Sequence, residues 1–126
     1  GGYNLRAKTL WESFRFAFQG LVYSFKTQRN FRVHCVASVI LGILLVVLDF
    51  ELYQALFLLS AAFFVLISEL INTAIEKTID LYTADYHPLA KIAKNCAAAA
   101  VLMSALYAVV VGVLVMVPRL LELVGR

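Results

Sequence analysis

The sequence predicts an all-α membrane protein, an amphipathic surface helix followed by three transmembrane helices. Three observations predict it. Hydrophobic residues make up 63% of the 126 residues and charged residues 15%, against about 45–50% and about 25% in soluble domains. A chain this short cannot fold so much apolar surface into one water-facing core, so lipid is the natural solvent for the excess. The apolar residues also come in long blocks, and the charges between the blocks collect on one side of the expected bilayer.

The surface helix is expected over about residues 5–25. Trp11, Phe14, Phe18, Leu21 and Phe25 recur there in steps of three and four, the mark of one helical face. Lys8, Glu12, Arg15 and Gln19 fall between them. A basic, aromatic-rich helix of this kind suits the membrane surface better than its centre, and the other reading is a helix packed on a partner protein. A polar stretch, 26–30, leads into the first span, about 31–50. At 1.5 Å per residue that span is about 30 Å long, enough to cross the hydrocarbon core. His34 and Ser38 are its polar interruptions, and Asp49 and Glu51 make an acidic turn after it.

The second span, about 52–80, changes character along its length. It is apolar through Ile67 and then carries Glu69, Asn72, Glu76, Lys77 and Asp80. A loop with Tyr82, Asp85, Tyr86 and His87 connects it to the third span, about 88–117. Pro88 suits a first helical turn. The third span is polar through Asn95, apolar from Cys96 to Val117, and expected to stop at Pro118. Together these elements form one membrane domain over residues 1–126.

Nine of the eleven Lys and Arg residues lie before or at the start of the first span, or at the facing polar ends of spans two and three. By the positive-inside rule, the amino terminus and the second loop are expected in the cytoplasm. No cleavable signal peptide is evident, because the first 32 residues lack a continuous apolar run. The Gly1-Gly2 pair is as compatible with a tag remnant as with native sequence. A net charge of +3 is too small to argue for nucleic acid. Cys35 and Cys96 lie far apart in apolar surroundings and read as free packing cysteines.

The second span carries the chemistry. Glu69, Asn72, Glu76 and Asp80 are spaced 3, 4 and 4, which places them within an arc of about 80° on one helical face. A carboxylate near the bilayer core costs on the order of 2.5–3.5 kcal/mol on insertion scales, so such residues usually have a task. A purely structural polar seam explains one Asn or Ser well, but it explains several aligned carboxylates poorly. On the third span, His87, Lys91, Lys94 and Asn95 fall within about 100° of one another. Carboxylates facing lysines at a membrane surface can hold a divalent cation and a polyphosphate. No glycine-rich Walker loop is present.

The run Ser68-Glu69-Leu70-Ile71-Asn72-Thr73-Ala74-Ile75-Glu76, then Asp80, Asp85-Tyr86-His87 and Ala90-Lys91-Ile92-Ala93-Lys94-Asn95, strongly resembles the bacterial integral-membrane diacylglycerol kinase family, which includes undecaprenol kinases. Asn30-Phe31-Arg32-Val33-His34 also looks like that family's pattern, and the resemblance runs from about Ser13 to Val110. It implies transfer of the γ-phosphate of ATP to a membrane-lipid hydroxyl, with Mg²⁺ as cofactor, at the cytoplasmic face. Glu69 falls on the family's catalytic base and Glu76 on a metal ligand. Gln28, Glu76, Asp85, Tyr86, His87, Lys94 and Asn95 fall where the family binds nucleotide. Asn30, Phe31, Arg32, Val33, His34, Glu69 and Ala98 fall where it contacts lipid, with Asn72 and Asp80 supporting.

The resemblance further implies a homotrimer with shared active sites, spanning the bacterial plasma (inner) membrane several times. Two positions depart from the family. Gln28 stands where many relatives carry a metal-binding Glu, and Asn95 where the family usually has Asp. From the residues alone, a non-enzymatic scaffold using the alanines at 97–100 and a small proton-coupled transporter using Glu69 remain as other readings.

Overall fold

The computed structural model describes residues 5–125, so the Gly1-Gly2 pair lies outside the described residues. The first helix, α1 (Leu10–Thr27), opens on Thr9, whose hydroxyl accepts the Glu12 amide N–H at 3.2 Å. The Glu12 carboxylate in turn accepts the amide of Lys8 at 2.8 Å. With this cap the helix starts about five residues later than the sequence suggests. Trp11, Phe14, Phe18, Leu21 and Phe25 are all exposed on it, with Leu21 and Phe25 also bordering a groove against α2 and α3 residues.

At Gln28 the backbone is extended, and the chain turns into α2 (Arg29–Val47). Arg32 Nη1 donates to the carbonyls of Phe25 and Lys26, at 3.0 Å each. It thereby satisfies two acceptors that the end of α1 leaves unpaired. The helix α2 has 19 residues, about 28 Å. It ends three residues short of Phe50, because Leu48 is extended and Glu51 begins a new cap. The Glu51 amide donates to the Gln54 side chain at 3.0 Å, one half of a capping box that opens α3 (Leu52–Tyr82).

A single unbroken helix, α3 has 31 residues and is about 46 Å long, against about 30 Å of hydrocarbon. It is therefore about 16 Å longer than the apolar layer, and its polar part, from Ser68 onward, carries the acidic stripe. Residues 83–87 reverse the chain into α4 (Pro88–Val111). His87 caps that helix, its Nδ1 accepting the Leu89 amide at 3.1 Å.

Pro118 does not end the third span. The chain passes through a π-helical turn, Gly112–Met116, and stays helical as α5 (Val117–Val124). A proline inside a helix lacks an amide donor and collides with the carbonyl four residues earlier. The wider turn just before it, in which the Val117 amide reaches back to Gly112, relieves that collision. Three helical stretches are long and apolar enough to cross a membrane: Arg29–Val47, Leu52–Tyr82 and Pro88–Val124. No strand occurs among the described residues.

The α3–α4 pair is the best packed. Ser60 pairs with Tyr107 at 3.0 Å, Ser68 with Ser104 at 2.6 Å, and Asp80 with Lys94 at 2.7 Å. As one number rises the other falls, so the two helices are antiparallel. In lipid, where the apolar surroundings supply no driving force between helices, such hydroxyl pairs hold the register. Phe64 meets the Tyr107 ring edge-on, with centroids 5.6 Å apart. Leu58, Ala61 and Val111 form the buried core of the apolar half, flanked by Leu41, Phe50 and Met116. Most other large apolar side chains face outward, as lipid-exposed helices require.

Candidate active site at the polar end of the bundle

The acidic stripe of α3 is one continuous feature along the helix. Glu69 is buried, with 5% of its surface exposed, and its Oε1 has no hydrogen-bond partner. Opposite it on α2 stands His34, with Nε2 3.9 Å from that oxygen. One turn on, Asn72 Nδ2 donates to Glu76 Oε1 at 3.3 Å, while Asn72 Oδ1 is buried and unpartnered. Another turn on, Asp80 receives the ammonium of Lys94 from α4 at 2.7 Å. The stripe thus runs from a sealed carboxylate inside the bundle to an open ion pair at its polar rim.

At the rim a shallow hollow of about 220 Å³ opens between the end of α3, the connecting turn and the start of α4. Asp80, Asp85, Tyr86, His87, Lys91 and Lys94 all line it. The turn is held by Thr83, whose hydroxyl accepts the Asp85 amide at 3.1 Å. Two lysines, a histidine and an exposed aromatic ring around one hollow are the groups a nucleotide polyphosphate uses. Lys91 belongs to this set, although the resemblance alone does not assign it a role. Its position one turn from His87 on the same face is the signal that finds it. Lys77 points elsewhere, its ammonium 6.0 Å from the ring centre of Tyr23 on α1.

The remaining candidates are scattered. Asn95 is exposed and does not line the hollow. Gln28 is half-buried at the α1–α2 junction and makes no side-chain capping bond. Among the described residues no group of three His, Cys, Asp or Glu side chains is placed to hold a metal by itself. Of the segment ahead of the first span, Phe31 is buried, and it lines an apolar groove of about 490 Å³ with Phe25, Cys35, Phe63 and Leu70. Arg32 caps α1, while Asn30 and Val33 are exposed. Ala98 is exposed on α4, whereas its neighbour Ala97 packs inside.

Comparison with known proteins shows the family. The profile of the family described as prokaryotic diacylglycerol kinase matches residues 15–116. A diacylglycerol kinase of Synechocystis is 45% identical over 118 residues, covering 93% of this chain and 67% of the relative. An undecaprenol kinase of Bacillus subtilis is 41% identical over 111 residues, covering 86% and 89%. A diacylglycerol kinase of Escherichia coli K12 is 30% identical over 95 residues, covering 75% and 78%. Neither the scaffold nor the transporter reading survives a match of this extent. The chain belongs to the prokaryotic diacylglycerol kinase family and is a bacterial membrane lipid kinase.

Proposed function

We propose that the protein moves the γ-phosphoryl group of ATP to the hydroxyl of diacylglycerol or undecaprenol at the cytoplasmic face of the inner membrane. The observation that supports this best is the stripe itself. It joins a carboxylate with a sealed oxygen to a hollow at the rim where Lys91, Lys94 and His87 stand beside Asp80 and Asp85. Lys94, Lys91, His87 and Tyr86 hold the nucleotide, and Asn72 orients Glu76. Glu69 takes the proton of the lipid hydroxyl. The new bond forms between that oxygen and the γ-phosphorus as the bond from phosphorus to the ADP oxygen breaks.

Mg²⁺ fits the donors present. It is usually bound by one or two carboxylates together with substrate phosphates, and Glu76 offers one carboxylate beside the buried, unpartnered Asn72 Oδ1. Glu76, assisted by the amide oxygen of Gln28, would hold it. The ion would offset charge on the phosphates. A homotrimer with sites shared between subunits suits a subunit whose nucleotide hollow is this open and whose outer faces are this apolar.

The deciding experiment supplies the reconstituted protein with ATP labelled in the γ-phosphate and either diacylglycerol or undecaprenol. Label is expected in the lipid extract with at least one of the two. Label confined to inorganic phosphate would overturn the reading. Orientation has its own check. A cysteine at Glu51 is expected to react with an impermeant thiol reagent on intact cells and one at Thr83 is not. The reverse pattern would put the hollow on the side without ATP.

A further inference from the structure

We propose that His34 is a positioning residue for Glu69, holding one carboxylate oxygen so that the other faces the lipid hydroxyl. The proposal rests on Glu69 acting as the base, and it gives His34 a task other than contacting lipid. Glu69 Oε1 is sealed from solvent and unpartnered, and His34 Nε2 on the neighbouring helix is 3.9 Å away. His34 Nε2 stands nearest to Oε1, so the imidazole addresses one particular oxygen of the carboxylate.

A carboxylate rotates easily about its last torsion, because that barrier is broad and two-fold. A base must nevertheless present a fixed lone pair to the proton it removes. A buried carboxylate oxygen without a donor is unfavourable, so a small closure of the 3.9 Å gap that lets the imidazole N–H donate to Oε1 is favourable. This contact fixes the plane of the group and leaves Oε2 free.

The anchor is itself steady. His34 stands six residues into α2, and its carbonyl accepts the Ser38 hydroxyl at 2.7 Å. The ring borders a hollow of about 170 Å³ between the helices, lined also by Ser38, Ala62, Val65 and Ala108. The hollow leaves room for a free imidazole when the side chain is cut back.

The test uses purified protein reconstituted in lipid vesicles, with diacylglycerol or undecaprenol and ATP varied separately. His34→Ala is expected to lower kcat on the order of tenfold with KM for both substrates unchanged. Free imidazole is expected to restore part of that rate in His34→Ala and none in Glu69→Gln. In the Glu69→Gln background, adding His34→Ala is expected to cost nothing further. A raised lipid KM with unchanged kcat would make His34 a lipid contact and overturn the proposal. Equal and additive losses in both backgrounds would overturn it as well.

If His34→Ala fails to assemble, His34→Leu, which fills the space but offers no donor, decides the matter. A lowered kcat at constant KM supports positioning, and unchanged kinetics refute it. Glu69→Gln with unaltered kcat would instead remove the base, a failure of the underlying reading that is visible without any His34 variant.

Discussion

Glu69→Gln is expected to lose at least about a hundredfold in kcat while ATP and lipid still bind, because general-base catalysis contributes about 10²–10⁴-fold. The amide keeps the size and shape of the side chain and removes only its capacity to accept a proton. Glu69 is buried where α3 faces α2, and the group that stands opposite its Oε1, at 3.9 Å, is the His34 imidazole rather than a lysine or arginine. A carboxylate kept there without a strong cationic partner is poorly explained by helix packing, since apolar or amide side chains would pack as well without the charge. Binding of both substrates, followed by equilibrium dialysis and by lipid titration, separates loss of chemistry from loss of the site. Near-normal kcat with weakened assembly would make Glu69 structural, and Asp80 would be the next base to test.

Glu76→Gln is the second large effect. Turnover is expected to fall by about a hundredfold or more, and no concentration of Mg²⁺ is expected to restore it. Asn72 can still hydrogen-bond the amide, so the contact now at 3.3 Å persists and the loss reports the missing charge. The companion substitution runs the other way. Gln28→Glu adds a carboxylate at the α1–α2 junction and is expected to lower the Mg²⁺ concentration needed for half-maximal rate. An unchanged requirement would take Gln28 out of the metal shell. Rate measured against free Mg²⁺ in both variants and the parent settles the pair.

Much of this site was legible from spacing, because helical geometry turns sequence separation into direction. The 3, 4, 4 spacing puts Glu69, Asn72, Glu76 and Asp80 on one stripe without any knowledge of the fold. Partners were not legible. That Asp80 meets Lys94, or that Glu69 faces His34, depends on the register between helices, which packing around Ser68–Ser104 and Ser60–Tyr107 decides. The same register decides which alanines of α4 pack, with Ala97 turned inward and Ala98 outward.

Local punctuation misled at both ends of the chain. Thr9 begins α1 later than the sequence suggests, since a side-chain cap outweighs a few apolar residues upstream. Pro118 reads as a terminator, yet the π turn before it absorbs the missing hydrogen bond. In a medium that offers the backbone no other partners, carrying the helix on is favoured over breaking it.

The unbroken length of α3 makes it a measuring rod for the membrane. Glu69 and Glu76 are carried on one stiff helix, seven residues and about 10 Å apart along its axis. No loop or hinge lies between them to absorb a change in either height. The apolar section of the rod is gauged against the bilayer, and a mismatch is met by tilting the helix or deforming the lipid. The depth at which a lipid hydroxyl finds its carboxylate is then set jointly by protein and membrane. With Glu69 as the proposed base, bilayers of longer or shorter acyl chains are expected to change kcat through elevation rather than through recognition of the tail.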